Sequence, residues 1–160
     1  MNDQVEVHTY TSKDAQATLS VFIDAVTITA ASKYTPEQVA AWASPADRNL
    51  EDWHQRRSSR ATVVATVSDE VAGFSDIDID GLIDMLFVSP RFARRGVATR
   101  LLAEVEQRAR TVGASAMTVH ASLLARPLLE RLGFTVETED HPVIRGVSLV
   151  NYTMVKPIRG

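Results

Sequence analysis

The chain contains no cysteine. That absence excludes a disulfide framework, a zinc–thiolate centre, an iron–sulfur cluster and a cysteine nucleophile together. No apolar run approaches the ~18 residues that suggest a membrane span. The opening Met1-Asn2-Asp3-Gln4 is polar and acidic, without the basic-then-apolar order of a signal peptide, so a soluble cytoplasmic protein is expected. An excess of positive charge is missing too. Lys and Arg number 17 against 20 Asp and Glu, a formal charge of −3, which gives no reason to expect nucleic acid as a partner. Linkers, repeats and low-complexity blocks are absent, and one domain over residues 1–160 is the expectation.

What is present is ordinary globular material. Apolar residues make up 45% and charged residues 23%, which excludes a disordered chain. At 160 residues a fold removes roughly 68–70% of the unfolded surface from water, so no staple is needed. Val5–Tyr10 alternates and reads as a strand. Lys13 to about Ala31 has helical spacing, and Thr35-Pro36 opens a short helix through Trp42. A third helix is expected from Ala46 to Arg57. Then come strands over Ala61–Val67, Val71–Ile77 and Leu82–Val88, the last two joined by an Asp80-Gly81 hairpin. A helix follows Gly96 and stops at Gly113. Ala116–His120 reads as strand, Leu123–Leu132 as helix, and Phe134–Thr138 and Val147–Val155 as closing strands. The sum is an α/β (α+β) fold, a mixed sheet with helices on its faces.

The stretch that carries chemistry is Leu86 to Leu102. An apolar strand ends at Ser89-Pro90, crosses a basic loop and enters an amphipathic helix. Unpaired N–H groups at a helix start point outward together and carry partial positive charge. Gly96 and Ala98 are small enough to admit a bulky anion, and Arg91, Arg94, Arg95 and Arg100 surround them. The segment reads as an anion cradle of pyrophosphate size. GxGxxG and GxxxxGK[ST] are both absent. His8, His54 and His141 share no spacing, so no metal site is expected.

Ala93-Arg94-Arg95-Gly96-Val97-Ala98 resembles motif A of the GNAT superfamily, the GCN5-related N-acetyltransferases, whose pattern is Arg/Gln-x-x-Gly-x-Gly/Ala. Ala93 departs from it; Gly96 and Ala98 match. The likeness extends to Ile83–Val88 and Ala125–Phe134, and Phe22–Ala30 with Tyr34-Thr35-Pro36 and Ala41-Trp42-Ala43 is similar to the small bacterial YafP-type branch. The resemblance implies a GNAT fold, a mostly antiparallel sheet of about six or seven strands splayed at Leu82–Val88. It further implies acetyl-CoA as acyl donor, with no metal. Its pantetheine arm would pair with the main chain of Leu86, Phe87 and Val88. Its pyrophosphate would sit on the amides of Arg94, Arg95, Gly96, Val97, Ala98 and Thr99, with Arg91 nearby and Ser122 in place of a CoA-contacting Asn.

The implied activity is acetyl transfer to a primary amine, of a small molecule or a protein, by direct attack in a ternary complex. Asp84 is the first choice of base, an acid inside an apolar strand. His120, at a strand end, is the second. Asp76, Asp78 and Asp80 read as a solvated turn. The family's usual thiolate-protonating tyrosine is replaced by Leu129, which leaves Tyr152 or Tyr34 as the acid. Phe22, Tyr34, Trp42 and Trp53 are assigned to an acceptor wall or to the core. A monomer or homodimer without nucleic-acid or membrane partners is expected. The alternative reading is a catalytically silent acyl-CoA-binding sensor or regulatory module.

Overall fold

The computed structural model describes residues 4–158. Its strands are β1 (Val5–Thr9), β2 (Ala61–Val67), β3 (Glu70–Ile77), β4 (Leu82–Ile83), β5 (Leu86–Val88), β6 (Ala116–Ala121), β7 (Thr135–Asp140), β8 (Val143–Ile144), β9 (Val147–Ser148) and β10 (Asn151–Pro157). Its α-helices are α1 (Ala15–Asp24), α2 (Pro36–Ala43), α3 (Leu50–Ser58), α4 (Val97–Thr111) and α5 (Arg126–Arg131). The strands form one four-stranded sheet in the order β1-β2-β3-β5, a second in the order β4-β6-β10-β7, and the small β8-β9 hairpin. Every pairing is antiparallel except β4 with β6.

The first sheet is covered on both faces, which explains why β2 is apolar without a break. Val63, Ala65 and Val67 face α4, joining Val97, Leu101, Leu102, Val105 and Ala109 of its stripe. Val64 and Phe74 face the other way, packing with Leu19, Phe22, Val26 and Trp53. Fully burying one such aliphatic or aromatic side chain contributes ~1.5–3 kcal/mol. The α4 core also takes in Met117, Val119, Ala121, Tyr152 and Met154 of the second sheet, with Leu129 of α5. Helix α4 thus straddles both sheets.

Several elements differ from their sequence reading. The first helical run continues from α1 through a π turn (Ala25–Thr29) and a 3₁₀ turn (Ala30–Ser32). The resulting helical run, Ser12–Ser32, has 21 residues and is long and apolar enough to match a membrane span, which its separate apolar pieces did not suggest. Its apolar residues Leu19, Phe22 and Val26 lie in the core against β2 and β3. The expected Ala46–Arg57 helix is broken at Arg48-Asn49, because the Asn49 side chain accepts from Asp52 N–H and caps a fresh start. Leu123–Leu132 shortens to α5. Val147–Val155 divides into β9 and β10, and the unforeseen β8–β9 hairpin turns through Arg145 and Gly146, both left-handed at φ 48° and 80°. Arg145 Nη1 donates to Ala41 O (2.9 Å) and Gln38 Nε2 to Ser148 O (3.0 Å), fastening that hairpin to α2.

Leu82–Val88 does not run as one strand. It divides at Asp84-Met85, and the cause is Asp76, whose carboxylate is wholly buried rather than in a solvated turn. Asp76 Oδ1 accepts from Asp84 N–H (2.8 Å) and Met85 N–H (3.3 Å), taking two amides that a regular strand would give to a neighbour. Arg57, itself 1% exposed, donates from Nη1 to Asp76 Oδ2 at 3.0 Å, and Arg60 Nε stands 3.2 Å from Oδ1. Burial pushes the Asp76 carboxyl above the ordinary carboxylate value, while the Asp84 N–H, Arg60 and Arg57 pull it back down. Of the other two acids, Asp78 does form the turn, its Oδ1 accepting from Asp80 and Leu82 N–H. Removing one member of a buried ion pair strands the other charge, at a cost of ~3–5 kcal/mol. Asp76→Ala is therefore expected to lose stability of that order in urea unfolding. Asp76→Asn, which retains an oxygen for the two amides, is expected to lose less.

Candidate active site

The division of that strand opens a wedge. Leu82 and Ile83 pair in parallel with Thr118 and Val119, whereas Leu86, Phe87 and Val88 pair with Ser75, Phe74 and Gly73 on the opposite side. Beyond Ile83 and Val119 the strands part, and β5 and β6 face each other unpaired. Antiparallel neighbours exchange bonds at alternate positions. Ser89 N–H donates to Ala72 O (2.8 Å), so two residues back Phe87 bonds to Phe74. Leu86 and Val88 therefore turn their peptide groups into the wedge. The expectation of three free residues is corrected to two, since the Phe87 main chain is committed to β3.

At the mouth of the wedge the chain turns from β5 into α4. Ser89 Oγ accepts from Arg91 N–H and caps a 3₁₀ turn over Pro90–Phe92. Arg94 and Gly96 are both left-handed, at φ 61° and 77°, and swing the backbone so that consecutive amides converge. A Cβ on Gly96 would meet nothing within 4 Å, so the space before it is open; its backbone conformation is what favours glycine there. The N–H groups of Gly96, Val97, Ala98 and Thr99 find no acceptor among the described residues. Arg100 N–H, one residue on, bonds to Gly96 O at 3.0 Å and begins the helical ladder. The surrounding arginines differ in commitment. Arg91 is paired with Glu70 at 2.7 Å, and both Arg91 and Arg95 lie over the Phe92 ring. Arg100 stands 3.9 Å from Glu104. Arg94 makes no ion pair among the described residues.

At the apex, Ile83 and Val119 are register partners and both point into the α4 core. Side chains alternate along a strand, so the next residues, Asp84 and His120, emerge together on the opposite face. Asp84 is 45% exposed and accepts from Arg57 Nη2 at 3.4 Å. His120 is exposed, and its Nδ1 lies 3.2 Å from Thr153 Oγ1. Tyr152 pairs across from Ala121 beneath the Arg126 guanidinium, 4.5 Å from its ring centre, and points into the α4 core rather than onto the Asp84–His120 face. Ser122 Oγ accepts from Ala125 N–H (3.1 Å), bracing the turn into α5 while keeping its own proton to donate.

The proposed acceptor wall needs revision. Phe22 is 1% exposed and lies behind Phe87, edge to face at 5.0 Å, so it is core. Trp53 is buried as well, its Nε1 donating to Thr18 Oγ1. Tyr34 is buried, its hydroxyl donating to Val150 O (2.7 Å) and accepting from Leu123 N–H (3.0 Å). Burial pushes this phenol above its ordinary value, so it holds the wedge floor and has no proton to lend. Trp42 alone stays part-exposed, beside Phe87 at 6.1 Å, with Met85 and Leu123 continuing an apolar surface.

Sequence reasoning missed Arg57, Arg60 and Asp76, whose signal was an acid and two arginines near otherwise apolar strands. It also missed Thr153 and Asp140, which carry no signal in isolation. The remaining histidines are scattered: His8 pairs with Asp14, His54 with Tyr10 and His141 with Glu139. Among the described residues no group of three metal-ligating side chains occurs. Two hollows of about 350 and 400 Å³ lie away from the wedge, one beside Tyr10 and His54, the other between α2 and the π turn.

Residues 30–156 match the model of the acetyltransferase (GNAT) domain. The chain is 34% identical over 152 residues to the uncharacterized N-acetyltransferase YafP of Escherichia coli, covering 95% of each chain. It superposes on a GCN5-related N-acetyltransferase of Rhodopseudomonas palustris with a TM-score of 0.91 at 31% identity, covering 98% of both. The fold is shared by the PaiA N-acetyltransferase of Thermoplasma acidophilum, solved with coenzyme A, at a TM-score of 0.76, 17% identity and coverage of 96% and 99%. A strand split by a buried carboxylate, opening beside unclaimed amides, is thus set in a chain that belongs to the GNAT acetyltransferase family.

Proposed function

We propose that this protein transfers the acetyl group of acetyl-CoA to a primary amine by direct attack within a ternary complex. The observation that carries the reading is the run of unbonded amides at Gly96–Thr99 lying next to the unpaired edge of β5. A diphosphate matches the first, because converging N–H groups and the helix dipole favour anions. An extended chain with amide groups matches the second, adding to β5 through Leu86 and Val88 as a strand would. A donor held at both points runs along the wedge and brings its thioester toward the apex.

At the apex the acceptor approaches from the Asp84–His120 face. An amine arrives protonated and must lose a proton before it attacks. The nitrogen lone pair then forms the N–C bond, the C–S bond breaks, and its electron pair leaves on the CoA sulfur. A thiol with a pKa of roughly 8.5 is an adequate leaving group near neutral pH without a strong acid beside it. That accommodates Leu129, which is fully buried where the family's tyrosine is usual. Asp84 presents a carboxylate to a cationic acceptor, and Met85, Phe87, Trp42 and Leu123 offer apolar surface to whatever the amine is attached to.

Two measurements test this. Loss of one charge-assisted hydrogen bond costs ~1.5–3 kcal/mol, so Arg94→Ala is expected to weaken acetyl-CoA in calorimetry by roughly one to two powers of ten. Arg91→Ala is expected to weaken it less, because Arg91 already serves Glu70. Equal, undiminished binding in both variants would remove the loop from the donor site. Second, a panel of primary amines is expected to yield free CoA, read with a thiol reagent, and an acetylated product, read by mass spectrometry. Tight acetyl-CoA binding without turnover of any amine would instead favour the sensor alternative, which rests on Leu129.

A further inference from the structure

The open face of the second sheet carries a hydrogen-bonded chain that runs away from the apex. Thr153 on β10 is the register partner of His120 on β6 and of Thr138 on β7. Its hydroxyl donates to Asp140 Oδ2 at 2.5 Å and lies 3.2 Å from His120 Nδ1. Thr138 Oγ1 also donates to Asp140, reaching Oδ1 at 3.0 Å. These two donors hold the Asp140 carboxyl below its ordinary range, with the charge of His120 contributing in the same direction. Asp140 is therefore ionised near neutral pH and can only accept.

A hydroxyl has a single proton. Thr153 gives its proton to Asp140, so towards His120 it can offer only a lone pair, and the ring nitrogen facing it must be the donor. Neutral His120 accordingly carries its hydrogen on Nδ1, the tautomer less favoured by imidazole in water, and exposes the Nε2 lone pair. No group among the described residues bonds Nε2. The neighbouring candidate base is less available, because Asp84 already accepts from Arg57.

We propose that His120 is the proton acceptor of the acetyl transfer, and that Thr153 and Asp140 are positioning residues that present its Nε2 as the base. The inference rests on the acetyltransferase reading above. In the step it describes, the ammonium of the acceptor gives a proton to Nε2, the neutral amine displaces CoA thiolate from the acetyl carbon, and the proton then passes to that thiolate or to water. Atoms and charge balance without any further reactant. Thr153 and Asp140 never touch the acceptor; they set which nitrogen is basic, as the orienting partner of a histidine does elsewhere.

The test reads the tautomer directly. The ¹⁵N resonances of His120 are recorded in the full-length protein at about pH 8.5, where imidazole is neutral. Wild type is expected to show Nδ1 protonated and Nε2 bare. Thr153→Val, close to the same shape but without a hydroxyl, is expected to move His120 toward the Nε2–H form and to raise the pH at which the Asp140 carboxyl titrates. It is expected to lower kcat roughly tenfold, while KM for acetyl-CoA stays within about twofold of wild type. Thr153→Ser restores the hydroxyl and is expected to restore both the tautomer and the rate, which a merely structural defect would not follow. Finding Nε2–H in wild type overturns the proposal. A changed tautomer in Thr153→Val with kcat intact overturns the assignment of His120 as base. Both results leave acetyl transfer standing. Wild type that binds acetyl-CoA and acetylates no amine overturns the assignment together with the acetyltransferase reading.

Discussion

The site exists because one carboxylate is buried where a strand would otherwise run straight. Asp76 collects the amides of Asp84 and Met85, and by doing so denies them to a neighbouring strand. A buried acid is costly unless its charge is met, and Arg57 and Arg60 meet it from the end of α3 and the entry to β2. The energetic cost of this arrangement is borne by the core on either side: β2 and β3 are packed on both faces, and α4 spans the two sheets like a strap. The wedge is therefore a consequence of electrostatics inside the first sheet, expressed as geometry between the two.

From that division the halves of the site acquire different characters. The donor side is made almost entirely of main chain, through the unbonded amides of Gly96–Thr99 and the free edge of β5. Main-chain recognition constrains conformation more than side-chain identity, which is why Ala93 can stand where the family prefers Arg or Gln. The acceptor side is made of side chains: Asp84, His120, Met85, Phe87 and Trp42. Such a surface can be rewritten residue by residue without disturbing the donor side, consistent with a family that keeps one acyl donor and varies its acceptors.

How much of this was legible in the sequence follows the same line. Local rules revealed the α4 stripe, the left-handed glycine before it and the order of most strands, because each depends on neighbours within a turn or two. The splay itself came from resemblance to a family, not from the residues, since nothing local marks Asp84-Met85 as a bulge. Its cause joins Arg57, Arg60, Asp76 and Asp84, brought together only by pairing β2 with β3. Asp76 was read as turn because Asp78 and Asp80 follow it; the turn begins two residues later. The aromatic residues were misjudged for a related reason. Helical spacing tells that Phe22 and Tyr34 face inward, but not that a second layer, Phe87 and the Val150 carbonyl, would close over them.

The π turn at Ala25–Thr29 has a bearing on how this chain varies among relatives. A wide turn amounts to one surplus residue in a helix, and each residue advances the helix by about 100°. Deleting a single residue there would regularise the coil and rotate everything after it, carrying Tyr34 away from the Leu123 amide and the Val150 carbonyl that it clasps. Insertions and deletions in this stretch should therefore come paired with changes at position 34 or in the two loops it joins, a covariation that counts residues rather than matching side chains.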